Sequence, residues 1–413
     1  MYKLIVTVYF VSSFLEELMF FDDYDPVRLE NQLSGNRFIV IYRLSGDETT
    51  ARNRATDICA EQTVEFPVRL LPSGVMPEKI VGRIEQFERK DETSWLATIS
   101  YADEIAAGEL TQFLNVVFGN ISIKQGIQVV ALRPSQGILD KLPGPRFGIA
   151  GIRQLVKVPK RPPLFTALKP MGLSAQNLAR LAGQFAEGGI DIIKDDHGLS
   201  DQCFAPFEER VSCCAAAVQE VNSRLGRNAI YVPNITAPIE LFFDRAIRAK
   251  ELGAGGLMVT PGLVGLDSLR YLAQIQLGLP IIVHPAFIGS YAVNPQGICC
   301  RVLFGTLMRL AGADATIFPN YGGRFPLSQE DCMEIVTASR ENLGTMPPIF
   351  PCPAGGMELK NIQDMVQNYG NDMLVLIGSG LFSNSNNLIS NCQRFLEEIE
   401  KSCSAISSYQ DKK

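Results

Sequence analysis

Histidine and tryptophan are almost missing: the 413 residues hold two histidines and one tryptophan. So few imidazoles exclude a histidine-rich metal centre, and each of the two carries weight wherever it falls. The ten cysteines include no CxxC pair, which removes zinc-ribbon and thioredoxin-type chemistry. Two adjacent pairs, Cys213-Cys214 and Cys299-Cys300, suit no disulfide framework, so the chain reads as reduced and cytoplasmic. There is no basic run. Lysine and arginine total 38 against 44 acidic residues, a net charge of −6, and nucleic-acid binding finds no support. No apolar stretch suits a bilayer span. Residues 1–21 are apolar, but Glu16 and Glu17 interrupt them and no small-residue cleavage site follows. They are expected to form an N-terminal extension.

What is present is a globular composition, 46% hydrophobic and 20% charged, in a chain long enough for two domains. Residues 22–142 read as the first. RFIVIYRL at 37–44 has strand character, Asp47 is an N-cap, and 51–60 is helical. Strands follow at 79–88 and 94–101, then a helical spacing over 108–118 and a strand at 127–132. The order β-α-β-β-α-β predicts a ferredoxin-like α+β domain. The cluster Leu142-Pro143-Gly144-Pro145 marks its end.

Residues 148–413 alternate strand and helix patterns. Strands are predicted at 164–169, 191–196, 230–234, 256–260, 280–284, 315–319, 348–353 and 373–377. Helical segments follow most of them. Eight βα units predict an α/β fold of the (β/α)₈ TIM-barrel type, in which catalytic groups sit where strands end.

The stretch from Gly188 to Gly198, GGIDIIKDDHG, shows such an end. An apolar run passes into Lys194, Asp195, Asp196 and His197. Lys194 and Asp196 are two residues apart on an extended chain and so point the same way. Lys169 ends the first barrel strand, and His284 ends the fifth. Gly355-Gly356 and Gly378-Ser379-Gly380 follow strands 7 and 8, where barrels place phosphate on backbone N–H groups.

These residues resemble a family. Gly188 to Asp196 is similar to the activation motif of the RuBisCO (ribulose-bisphosphate carboxylase/oxygenase) large chain. Its context, FTALKP at 165–170 followed by Gly172-Leu173-Ser174, is similar too. Glu61, Gly119-Asn120, His284, Asp314 and Gly355-Gly356 fall in the family's order. The resemblance implies a metal site built from Lys194 as a CO₂-derived carbamate, Asp196, and His197 where the family has glutamate. Mg²⁺ is the default ion; a nitrogen donor at His197 also admits Mn²⁺ or another divalent cation. It implies catalytic roles for Lys169, Lys194, His197 and His284. Asn120, Arg324, Gly355, Gly356, Gly378 and Ser379 would bind substrate and phosphate. It further implies a homodimer or dimer-based oligomer with active sites at the subunit interface.

The departures narrow the activity. The second lysine after strand 1 is missing, since Met171 leads directly to Gly172. Pro285, Ile317 and Ala354 stand where the carboxylase holds its second phosphate, and none offers a side-chain donor. The implication is a RuBisCO-like protein with a phosphorylated sugar or sugar-acid substrate bearing one phosphate, not a CO₂-fixing carboxylase. The Lys-Asp-Asp-His motif with Gly198-Leu199 resembles most the branch that decarboxylates 3-oxo sugar-acid phosphates such as 3-oxo-isoapionate 4-phosphate, making the chain a carboxy-lyase. An enolase or isomerase of a keto sugar monophosphate, of the methionine-salvage type, is the alternative. A true carboxylase and a catalytically dead homologue complete the set.

Overall fold

The structure is a computed structural model that describes residues 21–410 apart from Asp22 and Asn384. The expected extension therefore lies almost wholly outside the described residues. The chain divides into two units. One runs to Lys141 and takes back Pro295–Ile298; the other comprises Leu142–Asn294 and the chain from Cys299 onward.

The first unit is a sheet with two helices on it. Its elements are β1 (Arg37–Ser45), α1 (Glu48–Glu61), β2 (Arg83–Arg89), β3 (Ser94–Ala102), α2 (Leu110–Phe118) and β4 (Ile127–Arg133). Asp47 caps α1, its carboxylate accepting from Thr50 N at 2.7 Å. Strand β1 buries alternate residues, Phe38, Val40, Tyr42 and Leu44, the period-2 signature of a sheet with one covered face. Phe38 packs between Tyr101 and Phe113 at 5.4 and 5.0 Å. The buried Tyr42 hydroxyl donates to Val117 O at 2.8 Å. The sheet order is β4-β1-β3-β2, and Gly297–Ile298 adds a parallel edge to β4. That excursion from the second unit has no sequence signal.

One predicted strand is corrected. Residues 79–82 are not extended: Met76–Ile80 form a helical turn with Pro77 near its start, and β2 begins at Arg83. Proline suits a first helical turn, where no N–H is needed. The chain then crosses α1 at Gly82, where a Cβ would lie 3.0 Å from Cys59 Cα.

The second unit contains all eight predicted strands: β5 (Leu164–Leu168), β6 (Ile192–Asp195), β7 (Ile230–Val232), β8 (Leu257–Val259), β9 (Ile281–Val283), β10 (Ala315–Pro319), β11 (Phe350–Ala354) and β12 (Val375–Ile377). They form two four-stranded parallel sheets, β12-β5-β6-β7 and β11-β10-β9-β8. Asn234 and Met258 bridge β7 to β8. At the other seam Leu374 N donates to Pro351 O at 3.0 Å. Phe350 N is spent on Asp314 O, so by alternation the N–H positions facing β12 are Pro351 and Pro353, which have none to give. The two prolines thus interrupt the backbone ladder at this seam.

One end of the barrel is plugged. Helix α3 (Gly148–Val156) sets Ile149, Ile152 and Val156 against the inward-facing Phe165, Ile192, Met258 and Ile317. The buried Asp314 carboxylate holds it there, accepting from Phe147 N and Gly148 N at 2.6 and 2.8 Å and from Ile281 N at 2.9 Å. The strand C-termini are left to build a site.

Outside β6, Asp195 points away from the barrel axis. It is fully buried against Arg210 Nε at 3.1 Å, Tyr231 Oη at 2.7 Å and Asn234 N at 3.0 Å. Arg210 comes from a helix at Phe207–Leu225. Removing one partner of such a pair strands the other charge in the interior. Arg210→Met should lower unfolding free energy by about 3–5 kcal/mol, measured by urea denaturation; a change within experimental error would show that the pair holds nothing in place.

Candidate active site

The inward positions of β5 and β6 run Phe165, Ala167, Lys169 and Ile192, Lys194, Asp196. The lower members are core, and the upper ones line a cavity of about 640 Å³ at the strand C-termini. Every predicted site residue of the barrel lines it: Lys169, Lys194, Asp196, His197, His284, Arg324, Gly355, Gly356, Gly378 and Ser379. Asn120 belongs to the first unit, where its Nδ2 donates to Glu61 at 3.2 Å.

Lys194 is 1% exposed. Its Nζ donates to Asp195 O at 2.9 Å. Burial, only partly offset by Asp196, drives its amine down to about 8. Asp196 behaves in the opposite sense. Burial alone would raise it, but the hydrogen bond from His197 and the charges of Lys194 and Lys169 outweigh that and hold it below the usual carboxylate range. Lys169 Nζ lies 3.0 Å and His197 Nδ1 3.5 Å from the same Asp196 oxygen. The His197 ring stacks on His284, centroids 4.3 Å apart and nearly parallel. Asn234 anchors the turn that carries His197, donating to His197 O at 3.0 Å and Leu199 O at 2.8 Å.

His284 is kept neutral. Burial first, then the Lys194 and His197 charges, push it down to about 2. Its Nδ1 accepts from Ala286 N at 3.2 Å, so the ring proton sits on Nε2, free to donate.

The opposite rim is made of backbone. Gly355 and Gly356 have φ of +91° and +90°, a region that favours glycine. The three loops after β10, β11 and β12 touch main chain to main chain: a Cβ on Gly323 would lie 2.2 Å from Gly355 O, and one on Gly380 2.4 Å from Met357 O. Among the described residues, the amides of Gly355, Gly356 and Ser379 have no protein acceptor. They offer donors to an anion, with Arg324 on the same rim.

The remaining wall is apolar: Ala286, Phe287, Val293, Phe304, Ile317, Phe325 and Met357. Apart from Ile317, which the family resemblance singled out, sequence reading missed these residues, because nothing in a pattern marks an apolar residue as lining a cavity.

Known proteins can now be set beside this geometry. The family model of the ribulose bisphosphate carboxylase large chain, catalytic domain, matches residues 148–324. Ribulose bisphosphate carboxylase-like protein 1 of Rhodopseudomonas palustris is 34% identical, over 88% of this chain and 97% of its own. The chain belongs to the RuBisCO large-chain family. It stands on the RuBisCO-like side. The 5-methylthioribulose-1-phosphate isomerase of Rhodospirillum rubrum is 32% identical over 88% of this chain and 96% of that protein. The 2,3-diketo-5-methylthiopentyl-1-phosphate enolase of Geobacillus thermodenitrificans is 33% identical over 74% and 75%. The crystal structure of the Rubisco-like protein from Rhodopseudomonas palustris superposes with a TM-score of 0.80, at 35% identity over 88% of this chain and 97% of that one. None of these names a decarboxylase of 3-oxo acids.

The RuBisCO family pairs Mg²⁺ with a carbamylated lysine. Among the described residues no three histidine, cysteine, aspartate or glutamate side chains converge as a metal site. The donor set closes only if Lys194 contributes oxygen. A buried amine held near 8 can do so, because CO₂ reacts with the neutral form and the product carbamate is an oxygen donor beside Asp196. The residues therefore fit the group.

Carbamylation should accordingly rise with pH through about 8, since the lowered amine loses its proton there rather than near its ordinary value. ¹³C NMR with labelled CO₂ at fixed dissolved concentration would follow it, and Lys194→Ala would remove the signal. No carbamate resonance at any pH from about 7 to about 9.5 would refute this reading.

Proposed function

We propose that this chain enolises a keto sugar monophosphate, acting as an isomerase or enolase. The observation that carries the reading is the division of the cavity. Ionisable groups crowd one side, free amides and Arg324 form one anion site, and apolar side chains fill the place of a second phosphate. A dianion set against Pro285, Ile317 and Ala354 would lose its hydration without gaining donors, at a cost of several kcal/mol in order of magnitude. The names of the isomerase and enolase relatives support the same reading, since each substrate carries one phosphate.

Lys194 as carbamate, with Asp196, would hold a divalent cation, Mg²⁺ by default. Bound there, the cation supplies Lewis-acid polarisation of a carbonyl. The chain's own groups do the rest. The amides of Gly355, Gly356 and Ser379 and the Arg324 guanidinium fix the phosphate. His197, oriented by Asp196 and by stacking on His284, takes the proton from the carbon beside the carbonyl. Lys169 places positive charge near the oxygen where negative charge develops. The neutral His284 donates from Nε2 to a substrate hydroxyl. Return of the proton to the former carbonyl carbon, with the adjacent hydroxyl passing its own proton to the former carbonyl oxygen, completes an isomerisation, and return to oxygen alone leaves an enol. Asn120 of a partner subunit would complete the site in a homodimer.

The decarboxylase reading shares the enolate and differs in what leaves. One experiment separates them. The protein, with Mg²⁺ and bicarbonate in D₂O, is incubated with 5-methylthioribulose 1-phosphate, a diketo monophosphate and a 3-oxo sugar-acid phosphate, and products are read by mass spectrometry. Deuterium uptake or isomerisation without CO₂ release is expected. Release of CO₂ from the 3-oxo acid alone would replace the proposal with a carboxy-lyase. Lys194→Ala should reduce turnover at least a hundredfold, the scale expected when a catalytic electrostatic group is lost.

A further inference from the structure

We propose that the apolar wall of the cavity is a specificity subsite for a substituent larger than methylthio at the substrate end remote from phosphate, and that Phe287 sets its preference. This rests on the monophosphate enolisation reading and deepens it.

Phe287 has a backbone φ of +68°, a region where a bulky side chain is a rare and costly outlier. The residue is 74% exposed, yet it lines the cavity. The conformation is held from both sides. Ala286 N is bound by His284 Nδ1, and Ile288 is buried, its N–H donating to Pro285 O at 3.3 Å. Gly262 lets the neighbouring loop close on this turn: a Cβ there would lie 2.6 Å from Ala286 O. The same anchor thus orients the catalytic imidazole and presents the aromatic ring. A turn serving only to connect β9 onward would have no use for a strained, solvent-facing phenylalanine.

The wall continues at Phe325, which borders Gly355 on the anion rim, and through Val293, Phe304 and Met357. A volume of about 640 Å³ is in the range that encloses drug-sized ligands, which are larger than a methylthio pentose phosphate. The surplus lies against apolar atoms, so alkyl or aryl thioethers gain from entering it, and polar ends do not.

The probes are a series of 5-alkylthio-ribulose 1-phosphates (methyl, ethyl, propyl, butyl), and the matching unreactive pentitol 1-phosphates for calorimetric binding. Burial of a methylene is worth about fourfold in affinity. We expect kcat/KM and affinity to rise about fourfold per methylene up to butyl, with the gain in KM and not in kcat. Phe287→Ala should flatten that slope to under twofold, and Phe287→Tyr should keep most of it. Affinity that falls from methyl to butyl in the wild type, or a slope untouched in Phe287→Ala, would overturn the subsite. Rising affinity along the pentitol series without turnover of any ketose would uphold the subsite while removing the enolisation reading.

Discussion

The two-residue repeat of strand β6 governs the site. On one side it sends Ile192, Lys194 and Asp196 toward the barrel axis; on the other it sends Asp195 outward into Arg210, Tyr231 and Asn234. A slip of one residue would exchange the two sets, putting a carboxylate in the core layer and a lysine among the helices. The buried Asp195 cluster opposes that slip, because Arg210 is paired only in the observed register. The outward carboxylate therefore holds in place the inward amine. Among the described residues that amine has no direct carboxylate contact: its hydrogen bond is to a backbone carbonyl, and burial shows in the lowered proton affinity of Lys194. A lysine used only to stabilise the fold would have been paired.

Two kinds of material build the cavity, and they differ in how they can change. The anion rim is backbone. Its loops approach so closely that Gly323 and Gly380 have no room for a Cβ. The ionisable side is fixed by the strand ends and by Asn234 beneath His197. The third wall is apolar side chains, from strand positions Ile317 and Ala354 and from the connections that carry Phe287, Val293 and Phe325, and there the side chain rather than the backbone meets the cavity. The anion rim and the ionisable side can then stay fixed while the apolar wall varies. The positions of Pro285, Ile317 and Ala354 belong to this third wall.

Much of this was legible in the sequence. Buried parallel strands read as short apolar runs, so all eight barrel strands were found, with ends misplaced by a few residues. Ionisable residues directly after such runs marked the site, and spacing alone placed Lys194 and Asp196 on one face. What stayed hidden depends on contacts distant in sequence. Arg210 reads as one more helical arginine until the fold brings it to Asp195. The return of Pro295–Ile298 to the N-terminal sheet is two paired residues with no pattern. The stretch from residue 79 reads as extended because Ile80, Val81 and Ile84 are β-branched, and the helical turn at Met76–Ile80 with the close crossing at Gly82 overrides it.

Stacking of His197 on His284 joins these levels. With 43% of its side chain exposed, His197 would otherwise sample many rotamers, and the proton-accepting role proposed for it needs a ring held in place. His284 supplies the flat surface, and is itself fixed by Ala286 N. Once His197 has taken a proton, a second one on His284 would place two like charges face to face, which burial of His284 already disfavours. The neutral ring is thus a condition of the stack. A family glutamate at position 197 would need no such support, so the histidine there and the low proton affinity of His284 form one arrangement.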